Sequence, residues 1–230
     1  VADHGAPVMT LPEDAAEEAT QPQDRDGLVA RAFRIRHDNR FIFTTMLISA
    51  CVSLFASFVL SVDALLLAEN PDQLLSCDIS STLSCGAVAQ SWQASLFGFP
   101  NAFLGMVAEP VVITIAVASL GGVRFPRWFM FSAQVVYTLG VIFAYWLFAQ
   151  SMFVIGALCP WCLLVTVSTT LVFTTLTHVN VRDGNLFLPP RASAVARSAI
   201  AREVDVVVVW LWLIALAGLV ALKYGPSLLG

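Results

Sequence analysis

Charge is what this chain of 230 residues has least of. Charged side chains make up 12% of it, where a soluble globular chain carries about 25%. So few cannot cover a water-facing surface, and a soluble domain is excluded. Lysine is almost missing: of the 12 basic residues, all but Lys223 are arginine. With a net charge of −4 and no basic face, the chain gives no basis for nucleic-acid binding. Histidine occurs only as His4, His37 and His178, none near a cysteine pair in sequence, which argues against a Cys/His metal centre. The arginine bias, with abundant alanine and valine, is that of a GC-rich bacterial genome.

Apolar sequence is what the chain has in plenty. Hydrophobic residues make up 58% and the mean hydropathy is +0.79. Five stretches are long enough to cross a hydrocarbon core of about 30 Å, which takes roughly 20 helical residues. They are Phe41–Val62, Asn101–Leu120, Trp128–Gln150, Gly156–Thr177 and Val206–Tyr224. Helix is the fit for each, because backbone groups in lipid must bond within their own segment. The expected fold class is therefore an all-α, multi-pass protein of the cell (plasma) membrane. Residues 1–40 lack the basic start and short apolar core of a secretory signal. They hold too few apolar residues to offset their ordering entropy and read as a largely disordered tail. Arg31 to Arg40 form its basic juxtamembrane end, and a short surface helix is expected around Ala194–Glu203.

Positive charge sets the orientation. With the N-terminus in the cytoplasm, the tail, Gly121–Arg127 and His178–Asp205 hold every basic residue but Lys223. Cytoplasmic segments carry just such an excess of arginine and lysine. The loop Asp63–Pro100 has no basic residue and falls outside, as does the C-terminus.

That topology sorts the cysteines. Cys77 and Cys85 lie in the outer loop, and Cys159-Pro160-Trp161-Cys162 stands at the outer end of the fourth span. Cys51, within the first span, reads as an inert buried thiol. Four cysteines thus collect at the oxidising face. A Cys-x-x-Cys at a helix N-terminus has a thiolate stabilised by the helix dipole and free N–H groups. Proline suits the first helical position that Pro160 would take. Cycling disulfides, static staples and a zinc site all remain open on spacing alone. At the same level, Asn101 is either the N-cap of the second span or a ligand-facing amide. Phe103 and Trp161, with neighbouring aromatics, would line an apolar pocket or form an interfacial belt. Glu109 sits mid-span before Pro110, where a carboxylate is expensive and so functional or paired. It is a candidate proton relay, or else a protonated carboxyl bonded to a neighbouring helix.

Taken together, Cys77…Cys85, Ser91, the run Phe-Gly-Phe-Pro-Asn-Ala-Phe-Leu-Gly (Phe97–Gly105) and Cys-Pro-Trp-Cys resemble the vitamin K epoxide reductase family. The likeness covers about residues 41–178 and is to the bacterial, actinobacterial-type, disulfide-forming branch. It implies a four-helix transmembrane bundle around a quinone, capped by the outer loop. Residues 179–205 then form a cytoplasmic connection, and 206–230 a fifth, peripheral helix with a short outer C-terminus. By the same resemblance Cys162 faces the quinone, Cys159 exchanges with Cys85, and Cys77 is attacked by a dithiol partner. Asn101 would donate to a quinone oxygen and Ser91 would help hold the loop. The implied activity is a quinone-dependent thiol oxidase serving a separate, extracytoplasmic thioredoxin-like protein, since the chain ends with the fifth span. Menaquinone fits the genome type better than ubiquinone. One departure stands out: Thr166 takes the place of the family tyrosine that binds the second ligand oxygen, which bears on vitamin K epoxide reduction. A quinone or quinone-epoxide reductase, and a non-enzymatic scaffold with structural disulfides, are the competing classes.

Overall fold

A computed structural model describes residues 39–80 and 82–229, with side chains as far as Gly225. The readings made for residues 1–38 lie outside the described residues. Contacts divide the chain between Phe41 and Ile42, and the architecture that follows is that of the unit beginning at Ile42.

The described residues form seven α-helices and no strand: α1 (Asn39–Glu69), α2 (Cys85–Ala89), α3 (Ala102–Leu120), α4 (Arg127–Gln150), α5 (Pro160–Arg182), α6 (Pro190–Ala201) and α7 (Val204–Leu229). Of these α1, α3, α4, α5 and α7 are long and apolar enough to span a membrane. The all-α reading from span length therefore holds. Several boundaries move: α1 runs on to Glu69 rather than ending at Val62, and two other changes have a local reason. α5 opens at Pro160 rather than Gly156, because the chain leaves α4 through a π-turn (Ser151–Ile155) that Gly156 ends at φ 76°. Glycine takes that left-handed conformation without penalty. α6 begins earlier than expected, with a proline opening it, and stops before Glu203, which stands at φ 57°.

Four helices share one core: Met46 and Ala50 of α1, Val112 and Ile115 of α3, Met130 and Tyr137 of α4, and Val172 and Leu176 of α5. Lipid is as apolar as leucine, so close packing and hydrogen bonds hold such helices together. α1 turns a stripe of small residues inward, with Ser49, Ser53, Ser57 and Ser61 all buried at four-residue spacing. Gly105 of α3 meets that stripe so closely that a Cβ there would lie 2.2 Å from Ser57 Oγ. α4 and α5 are tied by Asn180, whose Nδ2 donates to Gln134 Oε1 (2.9 Å) and to the Met130 carbonyl (3.2 Å). Threonine hydroxyls on α5 donate to carbonyls one turn back, Thr170 to Thr166 and Thr174 to Thr170. The helix thus satisfies its own polar side chains.

Cys51 is exposed on α1, not buried as expected from its place mid-span. Its neighbours Ala50 and Ser53 take the inward face, and a thiol is apolar enough to face lipid. α7 joins the flank of α4: Trp212 Nε1 donates to the Tyr145 hydroxyl at 2.8 Å. Lys223 Nζ and the Tyr224 hydroxyl both donate to the Met152 carbonyl in the π-turn.

Candidate active site

The segment between α1 and α3 folds over the cysteine end of the bundle. Asp78 is its organising side chain. Its carboxylate accepts hydrogen bonds from the Leu75 N–H (3.0 Å), the Ser84 hydroxyl (2.8 Å) and the Gly86 N–H (2.9 Å). Burial alone would raise the Asp78 pKa, but these donors and the Cys85 N–H outweigh it and hold the carboxyl below the usual range. Ser84 in turn caps α2 by accepting from the Ala87 N–H. Two backbone hydrogen bonds then fix the register of this segment against the approach to α5. The Ser84 N–H donates to the Leu158 carbonyl at 3.0 Å, and the Leu158 N–H to the Thr82 carbonyl at 2.8 Å.

The residue that follows on each side is a cysteine. Cys85 is disulfide-bonded to Cys77, while Cys159 and Cys162 are free thiols. Cys159 Sγ lies 3.2 Å from Cys85 Sγ, and both residues are 1% exposed. Cys159 is the N-cap of α5 and accepts the Cys162 N–H at 3.3 Å. Its hydrogen bond with the Cys162 thiol lowers its pKa by more than burial raises it, and the Cys162 and Trp161 N–H groups add to the lowering. Asp63 Oδ2 stands 4.0 Å from Cys77 Sγ on the other side of the disulfide.

Beneath the cysteines, a cavity of about 460 Å³ runs between α1, α3, α4 and α5. That volume is in the range of small-molecule sites. Its wall is mostly apolar, with Leu60, Ala108, Val136, Phe143 and Leu147 among the lining residues, and Cys85, Cys159 and Cys162 all reach it. Asn101 lines it too, but does not cap α3. Its Nδ2 donates to the Gln93 carbonyl at 2.6 Å, and its buried Oδ1 has no partner among the described residues. Glu109, 3% exposed, accepts on Oε1 from the Ser53 hydroxyl (2.8 Å) and the Tyr137 hydroxyl (3.1 Å). Its Oε2 has no partner among the described residues. Ser91 lines the rim and donates to the Val88 carbonyl at 2.6 Å. Thr166 also lines the cavity, its hydroxyl spent on the Cys162 carbonyl at 2.9 Å.

Phe103 and Trp161 are not among the lining residues: Phe103 stacks on Phe99 and Trp161 packs edge-on to Phe55. Among the described residues, no three His, Cys, Asp or Glu side chains gather as a metal ion would require. The sequence reading missed Asp78, Ser53 and Tyr137. Ser53 had a signal, the four-residue serine spacing on α1. Asp78 had none, since its role appears only once the loop has folded around it.

Membrane-crossing helices, a disulfide touching a helix-capping thiol, and an apolar cavity under the thiol pair define a class, the membrane disulfide oxidoreductases. The vitamin K epoxide reductase family model matches residues 44–177, and the chain belongs to that family. A comparison with curated proteins found no match. The matched segment begins in α1 and ends near the last turns of α5, so α6 and α7 lie beyond it.

Proposed function

We propose that the chain is a membrane thiol oxidase of the bacterial, disulfide-forming branch. It regenerates the disulfide of a separate, extracytoplasmic thioredoxin-like protein and delivers the electrons to a membrane quinone. The observation that carries this reading is the 3.2 Å approach of Cys85 to Cys159, which joins the loop disulfide to the thiol pair over the cavity.

The partner's thiolate attacks Cys77, breaking Cys77–Cys85 and forming a mixed disulfide that the partner's second thiol resolves. Leu74 and Ile79 flank Cys77 in sequence and are 82% and 72% exposed, which suits docking of such a protein. The loop then holds two thiols. The Cys85 thiolate attacks Cys159 of an oxidised Cys159–Cys162 pair, and Cys77 displaces Cys159 from the mixed disulfide. Two electrons and two protons now reside on Cys159 and Cys162, with the loop disulfide restored, which is the redox state of the structure. A quinone supplies, when bound, a two-electron, two-proton acceptor. The cavity fits one in size and in its apolar wall, and the unpartnered Oδ1 of Asn101 is an acceptor suited to a hydroxyl of the reduced ring rather than to a quinone oxygen. Asn101 Nδ2 keeps a second N–H beyond its bond to Gln93. Ser91 braces the rim, while Phe103 and Trp161 act from behind the wall rather than in it.

The direction follows from potentials. Each 30 mV is worth about 1.4 kcal/mol for two electrons, and respiratory quinones lie far above protein dithiols. Menaquinone suits the arginine-rich composition better than ubiquinone. Residues 41–178 form the catalytic domain, 179–205 a cytoplasmic connection, and 206–230 the fifth helix leading to an outer C-terminus. The test combines the purified chain, a reduced thioredoxin-like protein and a soluble quinone, with Cys162→Ala in parallel. Loss of quinone absorbance that needs both the partner and Cys162 is expected. No loss with several quinones would leave the cysteines as structural staples.

A further inference from the structure

Glu109 is the single carboxyl among the described residues lining the cavity, and nothing in the thiol relay uses it. It follows Asn101 by eight residues on α3, which is about 12 Å along a helix axis. Glu109 therefore lies about two turns deeper in the bundle than Asn101, and both line the same cavity, so a ring bearing oxygens on opposite carbons can lie between them. Two donors from two other helices converge on the same oxygen of Glu109. Ser53 of α1 and Tyr137 of α4 both donate to Oε1. Oε2 is therefore the atom free to carry the carboxyl proton. It is buried, lines the cavity and has no partner among the described residues. No lysine, arginine or histidine appears among the lining residues to pair with a charge there. Three helices thus hold one carboxyl oxygen in place and leave it without a partner among the described residues. A buried polar atom without a partner costs about 1–3 kcal/mol, so a ligand that satisfies it gains in proportion.

We infer that Glu109 is the inner anchor of the quinone ring, donating from Oε2 to the ring oxygen remote from Asn101. Thr166, on the facing helix, does not serve that oxygen, because its hydroxyl donates to the Cys162 carbonyl. Ser53 and Tyr137 are positioning residues that fix the rotamer of Glu109. The inference rests on the quinone-linked function proposed above.

The test titrates the full chain, in lipid nanodiscs, with a short-chain naphthoquinone and follows quenching of tryptophan fluorescence. Glu109→Gln, which keeps a donor, is expected to bind within about threefold of the parent. Glu109→Leu is expected to weaken binding about tenfold or more. Infrared difference spectra supply a readout that does not depend on the leucine variant folding, only on the conservative glutamine variant for assignment. The carboxyl stretch assigned to Glu109, absent in the glutamine variant, shifts when quinone is added. A leucine variant that binds as tightly as the parent, or a carboxyl band that stays in place, overturns the anchor and leaves quinone binding standing. A parent chain that binds no quinone overturns both.

Discussion

Cys85 meets Cys159 because two backbone hydrogen bonds, between Ser84 and Leu158 and between Leu158 and Thr82, hold their neighbours in register. The sulfur contact is therefore only as stable as the loop, and the loop depends on Asp78. The folded-state pKa of Asp78 is lowered, so its contribution to loop stability is complete above its unfolded value, near pH 4. It is lost as pH falls through the lower, folded value. Reduction of Cys77–Cys85 by a phosphine, which works in acid, should hold a constant rate from pH 7 to about pH 4 and accelerate below it. Asp78→Asn loses charge-assisted acceptors worth about 1–3 kcal/mol, so its disulfide should be reduced about tenfold faster at neutral pH, with little further change in acid. A parent rate that stays flat to pH 2.5, or an asparagine variant with the parent's rate, would separate Asp78 from the loop's stability. The two outer cysteine pairs, Cys77 with Cys85 and Cys159 with Cys162, were legible in the sequence because each pair has a short spacing. Asp78 was not, because a carboxylate in a polar loop looks the same whether it is solvated or gathers three donors.

The helices were legible by length, since a span in lipid needs about 20 apolar residues whatever surrounds it. Their contacts were not, because a high apolar content marks a span without saying which of its faces meets lipid; here the inward faces carry much of the polar sequence, such as Ser53, Gln134 and Thr170. α1 shows both sides of this. Cys51 faces outward beside the inward Ala50, and hydrophobicity could not have told them apart. The serine stripe could have, because small residues at four-residue spacing mark a close helix contact. α5 starts four residues later than its apolar run, for a similar reason: nothing in apolar content announces a π-turn, while Gly156 and Pro160 do mark the break and the restart. The closeness of α1 and α3 gives a direct expectation. Gly105→Ala puts a Cβ 2.2 Å from Ser57 Oγ and 2.9 Å from Ser57 Cβ, and helix backbones must part to admit it. Overpacking of this kind costs about 1–3 kcal/mol, so the unfolding midpoint in detergent should fall by about 3–10 °C. Adding Ser57→Gly should restore most of the loss. A Gly105→Ala chain that melts with the parent would mean that the two helices are free to separate.

On the scale of the whole molecule, the two ends of the bundle differ in chemistry. One carries the cysteines and a loop without a basic residue; the other carries Arg124, Arg127 and Arg182. Arginine is retained on the cytoplasmic side during insertion, so the cysteine end should face outward. Orientation decides function, because thiols are kept reduced in the cytosol and oxidised outside it. With the cysteine end outside, the relay draws electrons from exported proteins. With it inside, the same sulfurs would meet a reducing pool, and the oxidase reading would fail however well the cysteines align. Two exposed positions report the outcome: Ile79 in the loop over the cysteines and Val123 between α3 and α4. In a Cys51→Ala background, a membrane-impermeant maleimide applied to intact cells should label Ile79→Cys and leave Val123→Cys untouched until the membrane is opened. The reverse pattern would turn the bundle over and move its electron source into the cytoplasm. α7 then adds a constraint of its own. Lys223 and Tyr224 reach the Met152 carbonyl in the π-turn that leads to Cys159, so this helix must cross beside α4 with its Lys223 end at the cysteine face. Trp212, bonded to Tyr145 further along the same flank, fixes that parallel course at a second point. The α7 crossing therefore faces whichever way the cysteine end faces, and the labelling experiment reads which way that is.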